Sequence, residues 1–191
     1  RAGGRLRVEP DLDTLHARFA EDLFAEIASN NRAGRPTRLI VPVGPTGQYP
    51  VLLDLVHRER LSLRRCFLFF MDEYCDESGV CVAEEHPLSF RGCMKREFFA
   101  RLDPELAPPP EQVVFPGEAN IDRLAATIAE GGGIDTCYGG VGIHGHVAFN
   151  EPEPGVADTG PRKVRLNDFT VTINAVRAEA GGNLEAFRDG R

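Results

Sequence analysis

A chain of 191 residues, 42% hydrophobic and 27% charged, has the makeup of one soluble globular domain able to bury its own core. Its formal net charge of −7 argues against nucleic acid and anionic membranes as main partners, because both reward a basic face. The five cysteines are odd in number and include no Cys-x-x-Cys pair, which argues against a disulfide framework and a structural zinc site and points to reduced thiols in the cytoplasm.

In chain order, Leu12, Leu15, Phe19, Leu23 and Ile27 recur at helical spacing and predict a helix over residues 11–30, ended by Asn30, Asn31 and Gly34. Residues 38–43 (RLIVPV) read as a buried parallel strand, followed by the loop 44–47 and a helix opening near Pro50. Residues 66–71 (CFLFFM) form a second buried strand, running straight into Asp72 and Glu73. A helix is expected over 87–101, a short strand over 113–115, a helix over 121–129 and a third buried strand over 134–138. Another helix is expected from Asp168 onward. No run approaches the roughly 20 apolar residues of a membrane span, and no signal peptide is visible.

Apolar strands alternating with amphipathic helices imply βαβ units: a single α/β domain over 1–191 with a mostly parallel, doubly wound, Rossmann-like sheet and helices on both faces. Ligands of such sheets sit at the carboxyl ends of the strands. Three polar clusters lie just past strand ends, at 44–47, 72–74 and 139–151, and are expected to meet in one crevice.

The first of these loops, GPTGQYP, offers Gly44, Thr46, Gly47 and Gln48 beside a helix N-terminus, a combination suited to phosphate and equally to an ordinary turn. The second places two carboxylates, Asp72 and Glu73, after an apolar strand. A partly desolvated carboxyl makes a useful base, and one of the pair can instead cap a nearby helix. The third, GGVGIHGHVAFNEP, holds Gly140, His144, His146 and Glu151. A histidine oriented by a carboxylate is an acid–base arrangement. A His-x-His pair also suits a metal, with Asp72 or Glu151 as the needed third ligand, but the reading without metal or organic cofactor is preferred.

Together GPTGQYP, FFMDEY, HPLSFRGCMKREFF and GGVGIHGHVAFNEP resemble the glucosamine-6-phosphate deaminase (isomerase) family in order and spacing, over roughly residues 39–174. MDEY and AFNEP also separate the chain from the related 6-phosphogluconolactonases. The resemblance implies a modified doubly wound α/β fold and conversion of glucosamine 6-phosphate and water to fructose 6-phosphate and ammonia. It implies Asp72 as the base moving a proton between C2 and C1, His146 as the group that opens the sugar ring, and Glu151 as the residue that orients His146. Gly44, Thr46, Gly47, Gln48, Gly140 and Arg177 would hold the substrate and its phosphate, and His144 would stand among the catalytic groups. Relatives are often homo-oligomers, which leaves oligomerisation open, with no interface indicated.

The chain departs from the family pattern in three places. His144 stands where the family has Asp, Gln48 and Tyr49 replace a glycine and a threonine, and the family's phosphate-binding arginine falls at Val176, with Arg177 one residue along. Family members also continue past the point equivalent to Arg191, so a C-terminally truncated sheet is expected. Two alternatives follow from the same residues: a 6-phosphogluconolactonase-like hydrolase, or a weakly active relative that binds a sugar phosphate as a sensor.

Overall fold

The computed structural model describes residues 4–142 and 144–177. Within them a four-stranded, all-parallel sheet has the order β3-β2-β1-β4, with β1 Thr37–Val41, β2 Cys66–Phe70, β3 Val113–Val114 and β4 Thr136–Cys137. The helices are α1 Leu12–Arg32, α2 Gln48–Arg58, α3 Phe90–Glu97, α4 Leu124–Glu130 and α5 Asp168–Arg177.

One sheet face turns Leu39, Val41, Cys66, Leu68 and Phe70 into the core, where they meet Ala20, Leu23 and Ile27 of α1, Leu52, Leu53 and Val56 of α2, and Met94 of α3. The opposite face presents Ile40 and Phe69, which share a cleft with Ile121, Leu124 and Ile128 at α4. Helices therefore flank both faces, as a doubly wound parallel sheet requires.

The helix ends show where local chemistry decides. Asp11 caps α1, its side chain accepting from the Thr14 amide at 2.7 Å. The helix runs on to Arg32, past the expected stop, because Gly34 at φ +67° supplies the left-handed residue that ends it. Asn30, instead of ending the helix, is buried and bonds Thr37 Oγ1 at 3.1 Å and Arg35 at 2.8 Å, tying α1 to the start of β1.

α3 is shorter than the 87–101 expected. Ser89 caps it, accepting from the Gly92 amide at 3.0 Å, and at Phe98 the chain leaves the helix for a 3₁₀ turn over Phe99–Arg101. The region 121–129 begins as a 3₁₀ turn, Ile121–Arg123, before α4. β3 and β4 are only two residues long, since β3 pairs with β2, and β4 with β1, at two positions each. Asp135 reinforces the β4 junction by accepting from the Arg38 amide at 2.8 Å.

Among the described residues no helix is long and apolar enough to cross a membrane.

Candidate active site

The three loops do meet. Gly140 lies against Pro45 and Gly44, so that a Cβ there would stand 3.4 Å from Pro45 Cδ, and Gly139 lies against the Met71 side chain. Tyr74, from the second loop, packs on Phe149 of the third with ring centroids 5.1 Å apart.

In the first loop Gly44 and Thr46 are exposed, and α2 starts at Gln48 with no side-chain cap, although the Tyr49 amide is already used on the Thr46 carbonyl at 3.0 Å and Pro50 carries no N–H. Gln48 departs from the expectation that its side chain faces a ligand. It is fully buried and donates its amide to the Pro45 carbonyl at 2.6 Å, so it supports the loop from inside. Tyr49 is likewise buried, its hydroxyl donating to the Pro42 carbonyl and its ring packing on Phe98. His16 of α1 packs on Gly47, with its Nε2 buried and unpartnered among the described residues.

The second loop divides its two carboxylates between two tasks. Glu73 caps α3: Oε1 accepts from the Phe90 amide at 2.9 Å and Oε2 from the Arg91 amide at 2.8 Å. Its pKa is raised by burial, against which those amide bonds pull it down. Asp72 has no such partner among the described residues and lines a cleft of about 360 Å³. Asp72 is partly buried and keeps some surface at the cleft. Burial, and secondly the Glu73 charge, push it from 3.8 to about 7. An unpaired carboxyl poised near neutrality in a concave site suits proton transfer.

The third loop is tightly wound. Gly142 and His146 are joined by a backbone bond of 2.9 Å, and the His146 ring rests directly on Gly142. Val147 and Asn150 pair across a two-residue turn whose centre, Ala148 and Phe149, adopts φ of +50° and +61°. Asparagine and glycine usually fill such a turn. Phe149 is held there by the Tyr74 and Phe90 rings, the kind of local strain that surrounding packing sustains at functional sites.

His146 Nδ1 is buried, without a hydrogen-bond partner among the described residues, and 3.9 Å from Glu151 Oε1, beyond hydrogen-bond reach. Glu151 instead accepts from the Asn167 amide. His144 is exposed and meets the edge of Phe169 at 5.1 Å. Arg177 closes α5, and its side chain lies outside the described residues.

The cleft also holds two cations that sequence reasoning did not single out. Arg162 bonds Asn150 at 3.0 Å and Glu153 at 2.6 Å, and Lys163 reaches over Gly79. Both lie within residues 153–163, a proline- and glycine-rich stretch without helical or strand periodicity. Among the described residues, no group of three or more His, Cys, Asp or Glu is placed to hold a metal.

No protein-family model matches the chain. A glucosamine-6-phosphate deaminase of Bacteroides fragilis is 32% identical over 178 residues, covering 90% of this chain and 63% of that protein. One of Porphyromonas gingivalis is 35% identical over 179 residues, covering 90% and 65%. The chain is homologous to the glucosamine-6-phosphate deaminases. It spans just under two thirds of the length of these deaminases. A solved structure described as a monomeric glucosamine-6-phosphate deaminase superposes with a TM-score of 0.68 at 25% identity, over 86% of this chain and 65% of that one. The fold of the deaminase superfamily is therefore shared, including the parallel sheet on which the three loops sit.

The contact between His146 and Gly142 gives a direct test of the third loop. A Cβ at residue 142 would fall 2.1 Å from His146 Nε2. Gly142→Ala is expected to drive the imidazole from its seat, seen as a displaced His146 ring resonance in an NMR spectrum; an unmoved resonance would show that the ring is held by something other than the glycine.

Proposed function

We propose that this chain carries the proton-transfer groups of a glucosamine-6-phosphate deaminase, converting glucosamine 6-phosphate and water to fructose 6-phosphate and ammonia. The observation that carries this reading is Asp72: a carboxyl at the end of β2, unpartnered among the described residues, pushed to about 7 and facing a cleft large enough for a hexose.

In this reading His146 handles the ring-oxygen proton and opens the sugar, with Glu151 as the carboxylate behind it. The Asp72 carboxylate takes the proton from C2 of the open chain and returns it to C1. The nitrogen-bearing C2 becomes an imine, and water replaces the nitrogen, releasing ammonia. The loop that leads into α2, with Gly44, Thr46, Gly47 and Gly140, receives the phosphate, since the N-terminal end of a helix favours an anion. Lys163 adds positive charge across the cleft, while Arg162 is paired with Glu153. The partner is a small sugar phosphate and the compartment the cytoplasm, which suits five unbridged cysteines.

A second reading has one observation in its favour. Glu151 is engaged by Asn167 and stands 3.9 Å from His146, so the pair is not assembled for ring opening. A chain that keeps this arrangement binds a sugar phosphate without turning it over.

One experiment separates the two. The full-length protein is given glucosamine 6-phosphate, and ammonia and fructose 6-phosphate are followed together with the melting temperature. Stoichiometric release of both products supports the deaminase. A raised melting temperature without product supports the binder. Neither signal removes glucosamine 6-phosphate as the ligand.

A further inference from the structure

The wall of the cleft carries chemistry that sugar isomerisation does not use. Cys75 and Cys81 face each other across an antiparallel hairpin. Its backbone bonds run from the Asp76 amide to the Val80 carbonyl at 2.9 Å and from the Val82 amide to the Tyr74 carbonyl at 3.0 Å, one on either side of the cysteines. That pattern makes Cys75 and Cys81 a non-hydrogen-bonded pair, in which Cα atoms stand about 4.5 Å apart and side chains share one face at closest approach. A disulfide accepts Cα separations of about 4.4–6.8 Å.

The turn is set independently of the thiols. Asp76 Oδ1 accepts from the Val80 amide at 3.0 Å and from Ser78 Oγ at 2.6 Å, Gly79 takes φ +81°, and the Cys81 amide donates to Glu118 at 3.0 Å. Both cysteines are partly exposed and line the cleft that holds Asp72, whereas Cys66 is buried in the core.

We propose that Cys75 and Cys81 form a reversible intrachain disulfide at the cleft wall, made by exchange with a low-molecular-weight disulfide such as oxidised glutathione. One cysteine thiolate attacks the oxidant's sulfur–sulfur bond, giving a mixed disulfide and one glutathione thiolate. The second cysteine, deprotonated, attacks the protein sulfur of that mixed disulfide, forming the Cys75–Cys81 bond and expelling the second glutathione. The protein gives up two electrons and two protons, and the oxidant receives them as two thiols. Burial raises both protein thiols, Cys81 to about 11, while the Lys163 ammonium opposes that rise at Cys75. Cys75 is therefore the first attacker, and the exchange is slow at neutral pH.

The chain offers its own assay. Glu77 lies between the two cysteines, so a glutamate-specific protease, cutting after Glu73, Glu77 and Glu84, frees fragments 74–77 and 78–84. After the full-length protein is treated with oxidised glutathione, mass spectrometry is expected to find these fragments joined, lighter than their sum by two hydrogens, and separated again by dithiothreitol. Cys75→Ser and Cys81→Ser each abolish the joined species, and Cys93→Ser leaves it intact. Fragments that stay apart, that carry glutathione on a single cysteine, or that join to Cys66, Cys93 or Cys137 would overturn the proposal. The readout is a covalent mass, so it stands or falls separately from any assay of deamination.

Discussion

Replacing Asp72 with asparagine is expected, under the proposed reaction, to lower turnover of glucosamine 6-phosphate by about 10²–10⁴-fold, the range that a positioned general base contributes. Asparagine keeps the shape of the side chain and removes its basicity. The same substitution is expected to stabilise the fold at alkaline pH. The carboxyl titrates at 3.8 when exposed and at about 7 in the folded chain, so the native state binds its proton more tightly than the unfolded one. Wild-type stability from this group is full below pH 4 and is lost as pH rises through 7. The loss approaches about 4 kcal/mol at about 1.4 kcal/mol per tenfold change in proton affinity. The melting temperature of Asp72→Asn should thus match wild type near pH 4 and exceed it by roughly 10 °C at pH 8. Under the proposed reaction, activity of the unmutated protein should rise as pH passes through about 7, where the Asp72 carboxyl becomes deprotonated. Equal pH dependence of melting in the two proteins would show that Asp72 is solvated, and retained turnover in the variant would remove it from the proton transfer.

Gly92→Ala is expected to be the most damaging single methyl in the described fold. On helix propensity alone, alanine would gain about 1 kcal/mol in α3. Yet a Cβ there would sit 1.8 Å from the Glu84 carbonyl oxygen and 2.8 Å from its carbon. The backbone at Glu84 is not free to retreat, because its carbonyl accepts from Arg96 at 2.9 Å and its carboxylate pairs with Lys95 at 2.6 Å. The clash therefore levers α3 away from the Glu73 carboxylate that caps it. A loss of about 3 kcal/mol follows from overpacking of this kind, or roughly 10 °C in melting temperature. Thermal denaturation checks it, and a variant as stable as wild type would mean that residues near Glu84 give way freely.

Much of this architecture was legible because parallel strands buried on both faces write themselves as apolar runs. LIV and CFLFF have no other good home, and the polar clusters at their ends follow from chain order. What was not legible depends on partners far along the chain. Nothing local says that Glu73 reaches the amides of Phe90 and Arg91, and only that reach leaves Asp72 as the unpaired acid. Gln48 reads as a loop side chain available to ligand, whereas the Pro45 carbonyl draws it inward. His146 and Glu151 are close in sequence and were expected to pair, but the spacing could not disclose that Asn167 engages the carboxylate. Arg162 and Lys163 lie in a segment without periodicity, where only the folded path brings them across from Asp72.

The placement of β4 also bears on how the molecule assembles. β1 finds β2 after a short α/β crossover, but it finds β4 only across a gap of 97 residues, from Arg38 to Asp135, for two residues of pairing. Closing so long a loop for so little ladder makes this contact entropically late, since non-local pairing is rewarded only after the closure cost is met. The expected order of folding then runs from the 44–47 loop and the carboxylates to the histidine loop that β4 carries. A nascent or partly unfolded molecule would already present Asp72 while having nowhere to seat His146, so the loops that carry the two side chains meet only once β4 is paired.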